Sequence, residues 1–205
     1  MPQQSLLVVE SPDDEHALYA LLKRRKFSPE FPIEAQGGYE TLIKRLAARL
    51  VPGSDLQQLG IVVDADQDCR ARWEAIRDRL RKEEYKGVPE DPDPAGVVLD
   101  HLDRPRVGVW IMPNNSLPGM LEDFLAYLVP NDDRLWPRSI KSVDEIPEVE
   151  RLFGKTGRSK ASIYTWLAWQ EEPGKPLGQA ITKNLLRSEG LVVDLLMDWL
   201  GRLFA

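Results

Sequence analysis

Hydrophobic positions along the chain fall into two kinds of block. Leu6–Val9, Leu59–Val63 and Val107–Met112 are short continuous apolar runs, rich in branched residues, and each gives way to polar residues rather than to a hairpin turn. Runs of this length fit strands buried on both faces of a parallel sheet. Ile33–Gln36 is a fourth, weaker candidate. Between the runs, apolar positions recur at helical spacing. Ala17, Leu18, Leu21 and Leu22 predict a helix that Asp13 or Asp14 caps and that the basic cluster Lys23–Lys26 ends, an order of charges suited to the helix dipole. Gly37–Gly38 turns the chain into a second helix bearing Leu42, Ile43, Leu46 and Leu50. Trp73, Ile76 and Leu80 predict a third over Arg70 to about Glu84. Strand–helix alternation predicts an α/β fold: a mostly parallel central sheet flanked by helices and wound with right-handed crossovers.

The stretch Gly87–Gly96 has three prolines and reads as an exposed loop. Beyond Pro130 the pattern changes. Residues from Trp136 to Pro147 read as irregular, Ser159–Trp169 as helical, EEPGKP as a break, and Leu177–Leu186 and Leu191–Phe204 as helices. Residues 1–130 are therefore read as the α/β domain and 131–205 as a helical C-terminal segment packed on it.

Charge sharpens this division. The 205 residues carry 27 Lys plus Arg against 33 Asp plus Glu, a net charge of −6. Arg134 to Arg187 holds 10 basic and 6 acidic residues, a local +4, so the remainder carries −10. An acidic chain does not grip nucleic acid through bulk positive charge, but bound divalent cations would invert the sign of an acidic site. The single cysteine, Cys69, excludes an internal disulfide and a cysteine-rich zinc site and fits a reducing, cytoplasmic setting. The opening MPQQSLLVVESPDDE has no basic start and meets acid early, so no signal peptide is expected, and no apolar run is long enough for a membrane span.

Acidic residues gather at the ends of the predicted strands, where open parallel sheets place their ligand sites. Glu10 ends the first run, with Asp14 four residues on. Asp64-Ala-Asp66 ends the second, with Asp68 behind it. Glu122–Asp123 follows the third across the loop PNNSLP. Residues 64 and 66 would share a side if the strand continued, letting two carboxylates grip one hard cation. Oxygen donors without His or Cys point to Mg2+ or Mn2+ rather than zinc. A strand-end Asp also serves as a helix N-cap, and Asp14 and Asp68 admit that reading.

The segments VVESPDDEH, GGYETL and IVVDAD resemble, in order and separation, the Toprim fold of topoisomerases, primases and OLD-type nucleases. In that pattern a Glu ends the first strand and a DxD ends the third, which Glu10 and Asp64/Asp66 match. The OLD-type version adds an acid four residues after the Glu and another beyond the next strand, matched by Asp14 and Glu122. AWQEEPGKPLGQAI near the end is similar to a small group of stand-alone prokaryotic Toprim-like proteins. The chain departs from the pattern where Ser11-Pro12 replaces the usual Gly after the motif Glu, and no ATPase segment accompanies it. The resemblance implies Mg2+- or Mn2+-dependent phosphodiester chemistry on DNA or RNA. Glu10, Asp14, Asp64, Asp66 and Glu122 would be the metal ligands, with Glu10, Asp64 and Asp66 catalytic. Lys155, Arg158 and Lys160 in the basic segment would hold the nucleic acid, and Lys160 would steady the scissile phosphate. A homodimer, a separate ATPase or a defence-system component are the partners expected of such a protein, and no membrane.

Other motifs carry less. Gly154-Lys155-Thr156 is no Walker loop, because Val149 stands where the partner glycine belongs. Cys69 and His101 have no partners that would activate them, and His16, beside acids in the first turn of a predicted helix, reads as a surface or capping group. Trp166 and Trp169 sit on an apolar helix and read as core rather than as base-stacking surfaces. Asn114 and Asn115 either line the site or form a plain turn. Two alternatives stand beside the nuclease: a non-catalytic Toprim scaffold that binds or regulates, and a metal-dependent phosphatase or phosphotransferase. The second wants Thr or Val two places after the DxD, where Asp68 stands.

Overall fold

A computed structural model describes residues 5–205. β1 (Ser5–Val9) leads into α1 (Pro12–Arg25), then β2 (Ile33–Ala35), α2 (Tyr39–Arg49), β3 (Gln58–Asp64), α3 (Cys69–Lys82), β4 (Val97–Leu99) and β5 (Arg106–Met112). α4 (Leu121–Ala126), α5 (Trp136–Asp144), a 3-10 turn (Glu148–Glu150), α6 (Gly157–Ala168), α7 (Leu177–Thr182) and α8 (Leu191–Phe204) follow. The five strands form one sheet in the order β2-β1-β3-β5-β4, parallel except for the antiparallel edge strand β4. Among the described residues no helix is long and apolar enough to cross a membrane.

The strands are continuous apolar runs because both faces of the sheet are covered. Successive side chains point to opposite faces, so Leu7, Val9, Val62, Trp110 and Met112 enter one core and Leu6, Val8, Ile61, Val63, Val109 and Ile111 the other. The second core is closed by Leu42 and Leu46 of α2 and by Trp73, Ile76 and Leu80 of α3. The first is closed by α1 and α4 together with α6, α7 and α8. Gly60 and Gly108, paired across β3 and β5, leave a trough into which α8 settles: a Cβ at Gly108 would lie 2.6 Å from Leu203 Cδ2. Trp199 Nε1 donates to Val97 O at 3.0 Å, fastening α8 to β4.

Several elements differ from the expectation. The helix expected to be capped by Asp13 or Asp14 is capped by Ser11, and Asp14 is the third helical residue of a capping box. The stretch after Trp136 is helical rather than irregular: Pro137 lies in the first turn of α5, where a missing N–H costs nothing. Asp133 Oδ1 accepts from both Leu135 N and Trp136 N to start that helix. β4 and α4 have no counterpart in the sequence reading, being three and six residues long, too short for either period to register.

Candidate active site

Three loops leave the carboxyl ends of β1, β3 and β5 side by side, and each delivers an acid. Glu10 follows β1 directly, and its Oε1 accepts from Asp64 N at 2.9 Å, tying the first loop to the end of β3. Asp64 Oδ1 accepts from Leu121 N at 3.0 Å, fixing the start of α4. That brings in Glu122, second residue of α4 and only 4% exposed. Asp14, equally buried, is held by Ser11, whose N (2.8 Å) and Oγ (2.6 Å) both donate to Oδ2.

These carboxylates act on one another. Burial, then the charges of Asp14, Glu10, Glu122 and Asp66, push the Asp64 carboxyl up to about 9 from its ordinary 3.8. Burial also raises Asp14 against the pull of the Ser11 hydrogen bonds, with Glu122 and Asp13 adding to it. Glu10 is raised chiefly by burial, although the Asp64 amide and Arg72 favour its charged form. The cluster is a set of buried, mutually repelling oxygens. Asp64 Oδ2 and Glu10 Oε2 accept no hydrogen bond from the described residues. Such a donor set fits a hard divalent cation and suits neither zinc nor copper. Among the described residues, however, no three acidic, His or Cys side chains already stand close enough to enclose an ion. Their side chains would have to draw in around it.

Lys160 joins the cluster. Its ammonium lies 3.2 Å from Glu122 Oε1. Burial works against its charged form, but Glu122, Asp13 and Asp14 outweigh that and hold it above its usual range. Asp123 sets the position: Oδ2 accepts from Met120 N at 2.9 Å, and Oδ1 accepts a short hydrogen bond from Ser159 Oγ, one residue before Lys160. Tyr164, a turn further along α6, donates to Asp13 Oδ2 at 3.1 Å; burial and the neighbouring Asp13 raise its hydroxyl to about 12.

Asp66 behaves differently. The strand ends at Asp64, so the expected same-side alignment of 64 and 66 fails. Asp66 turns left-handed (φ 53°) and its backbone pairs both ways with Gly119 at 2.8 Å. Its carboxylate ion-pairs with Arg72. The Arg72 guanidinium in turn lies 3.6 Å from the centre of the Tyr39 ring. Arg72 escaped the sequence reading. Nothing local marks it, because Arg70 stands nearer the same helix start and only the tertiary neighbours Tyr39 and Asp66 set Arg72 apart.

The remaining basic candidates divide. Arg158 makes a bidentate pair with Asp144 at 2.6 Å and 2.6 Å, which joins α6 to α5 rather than turning toward the acids. Lys155 stands in the turn before α6, and Thr156 beside it lines a cavity of about 570 Å3 shared with Asp66 and Arg72. Asp68 is the N-cap of α3, accepting from Ala71 N at 3.0 Å. Asn115 is buried and structural, its Oδ1 accepting from Ile111 N at 2.6 Å, while Asn114 closes the loop through Ser116 N and Leu117 N. Trp166 is core as expected, but Trp169 is 42% exposed. Cys69 is buried, and burial raises its thiol.

No curated protein and no solved structure matches the chain. One family profile does, over residues 4–205, so the chain belongs to DUF3226, described as a protein of unknown function.

Proposed function

We propose that this chain is a Mg2+- or Mn2+-dependent phosphodiester enzyme of Toprim type that processes DNA or RNA. The observation that carries this reading is the meeting of Glu10, Asp14, Asp64 and Glu122 at the carboxyl ends of β1, β3 and β5, where burial and mutual repulsion raise the carboxyls of Asp64, Asp14 and Glu10. Glu10 and Asp64 would hold the cation, with Asp14 and Glu122 behind them. A divalent cation bound there would act as a Lewis acid on a phosphoryl oxygen and lower the pKa of its water. Glu10 and Asp64 also hold β1, β3 and α4 in register through their hydrogen bonds, so the frame exists before any substrate arrives. Lys160 stands at the rim beside Glu122, where an ammonium can steady charge developing on a phosphate.

The experiment is cleavage of labelled single- and double-stranded DNA and RNA with Mg2+ or Mn2+, comparing the wild type with Asp64→Asn and Glu10→Gln. Metal-dependent cleavage lost in both variants is the expected result; cleavage that survives either one refutes the assignment. A second reading, a Toprim scaffold that binds without cutting, is favoured by one observation: no three donors yet enclose an ion. Calorimetric titration with Mn2+ separates the two, since a scaffold of that kind would bind no ion.

A further inference from the structure

We infer that Arg72 is the phosphate-contacting group on the β3 side of the site, and that Asp66 occupies its guanidinium as an internal stand-in for the substrate phosphate, so that cation and substrate promote each other's binding. This rests on the reading above. The Arg72 side chain is only 13% exposed, pressed on Tyr39 and paired with Asp66. It faces the cavity of about 570 Å3 lined by Tyr39, Asp66, Gln67, Asp68, Arg72 and Thr156, a size ample for one nucleotide. It lies close enough to Glu10 to favour that residue's charged form. A planar guanidinium stacked on an aromatic ring is already oriented for bidentate phosphate recognition.

Asp66 has two partners to choose between. Its backbone is fixed by the paired hydrogen bonds to Gly119, leaving its side chain, 45% exposed, as the movable part. A cation among Glu10, Asp14 and Asp64 competes with Arg72 for that carboxylate. A phosphate competes with Asp66 for Arg72. Each ligand therefore frees the group the other needs, and linkage makes the effect reciprocal, typically 5- to 150-fold, to quote an order of magnitude.

The probe is a short fluorescein-labelled, phosphorothioate-linked oligothymidylate, followed by fluorescence anisotropy, with Mn2+ titrated by calorimetry. Mn2+ should tighten probe binding roughly ten-fold, and the probe should tighten Mn2+ binding by the same factor. Asp66→Asn should bind the probe more tightly than the wild type in EDTA, a gain that a misfolded variant cannot give. Asp68→Asn removes the same charge from the same cavity and should show clearly less gain. Arg72→Gln should weaken probe binding, abolish the coupling, and cancel the gain when combined with Asp66→Asn. Cation and probe that bind independently, or equal gains in the two Asn variants, overturn the inference while leaving the phosphodiester reading intact. Failure of the wild type to bind either ligand overturns both.

Discussion

Replacing Asp64 by Asn should make the protein more stable, and the gain should depend on pH. Asn keeps an Oδ1 acceptor for Leu121 N and removes the charge that burial and four neighbouring acids oppose. The folded carboxyl titrates at about 9 and the unfolded one at 3.8. Between those values the native state holds a proton that the unfolded state has released, so wild-type stability falls as pH rises through the window. At about pH 7 the full linkage would be about 1.36 × (7 − 3.8), or roughly 4 kcal/mol. A single proton relieves Asp14, Glu10 and Glu122 as well, so part of that relief remains available in the variant through its neighbours. We expect a gain of about 1–2 kcal/mol, or roughly 2–8 °C in Tm for a chain of this length. Thermal and urea melts at about pH 4 and about pH 8 should show the two proteins converging in acid and separating in base. Added Mg2+ should raise the wild-type Tm and leave the variant unmoved, because ligand stabilises only a state that binds it. A variant no more stable than the wild type at about pH 8, with the wild-type pH slope retained, would falsify the buried-charge account.

Two further substitutions test how the site is supported. Gly108→Ala forces Leu203 away from β5 and should cost about 1–3 kcal/mol by urea denaturation, because the tight neighbour is a side chain clamped under α8. Lys160→Met leaves the buried Glu122 carboxylate without its cation; since the lysine is half exposed, a loss of about 1 kcal/mol by urea denaturation is expected, and a variant as stable as the wild type would contradict it.

The strands that frame the site were legible because each is a continuous apolar run; Glu10 and Asp64 end the first two, and Glu122 follows the third across a loop. The expected same-side alignment of Asp66 with Asp64 failed for a local reason. Strand alternation holds only while the strand lasts, and the left-handed turn at 66, locked by Gly119 some fifty residues away, appears in no local pattern. Arg72 was missed because its meaning lies in Tyr39 and Asp66, two tertiary neighbours. Sequence shows the positive charge of Arg158 but not the Asp144 with which it pairs. β4 and α5 were lost for lack of length and through a proline whose position in the first turn made it harmless.

The C-terminal segment bears on the same question from another side. Read as sequence it is a basic appendage; in the structure Ile163, Trp166, Leu167, Ala180, Ile181, Leu196, Trp199, Leu200 and Leu203 close the core that Leu7, Val62 and Trp110 open. Burying a large apolar side chain is worth about 1.5–3 kcal/mol, so the loss of these residues removes a stabilisation at least comparable with the roughly 5–15 kcal/mol that separates a folded domain from its unfolded chain. A fragment of residues 1–130 should therefore show no cooperative melt and should bind a hydrophobic dye, whereas a fragment with a sharp transition and dispersed amide spectra would contradict this. The dependence is also chemical. Asp123 and Ser159 lock α6 to α4, and that lock brings Lys160, a charge from the basic segment, against Glu122, a charge from the acidic one. The imbalance of −10 and +4 is thus partly resolved inside the site itself, by one lysine that arrives only when the last seventy-five residues have folded onto the sheet.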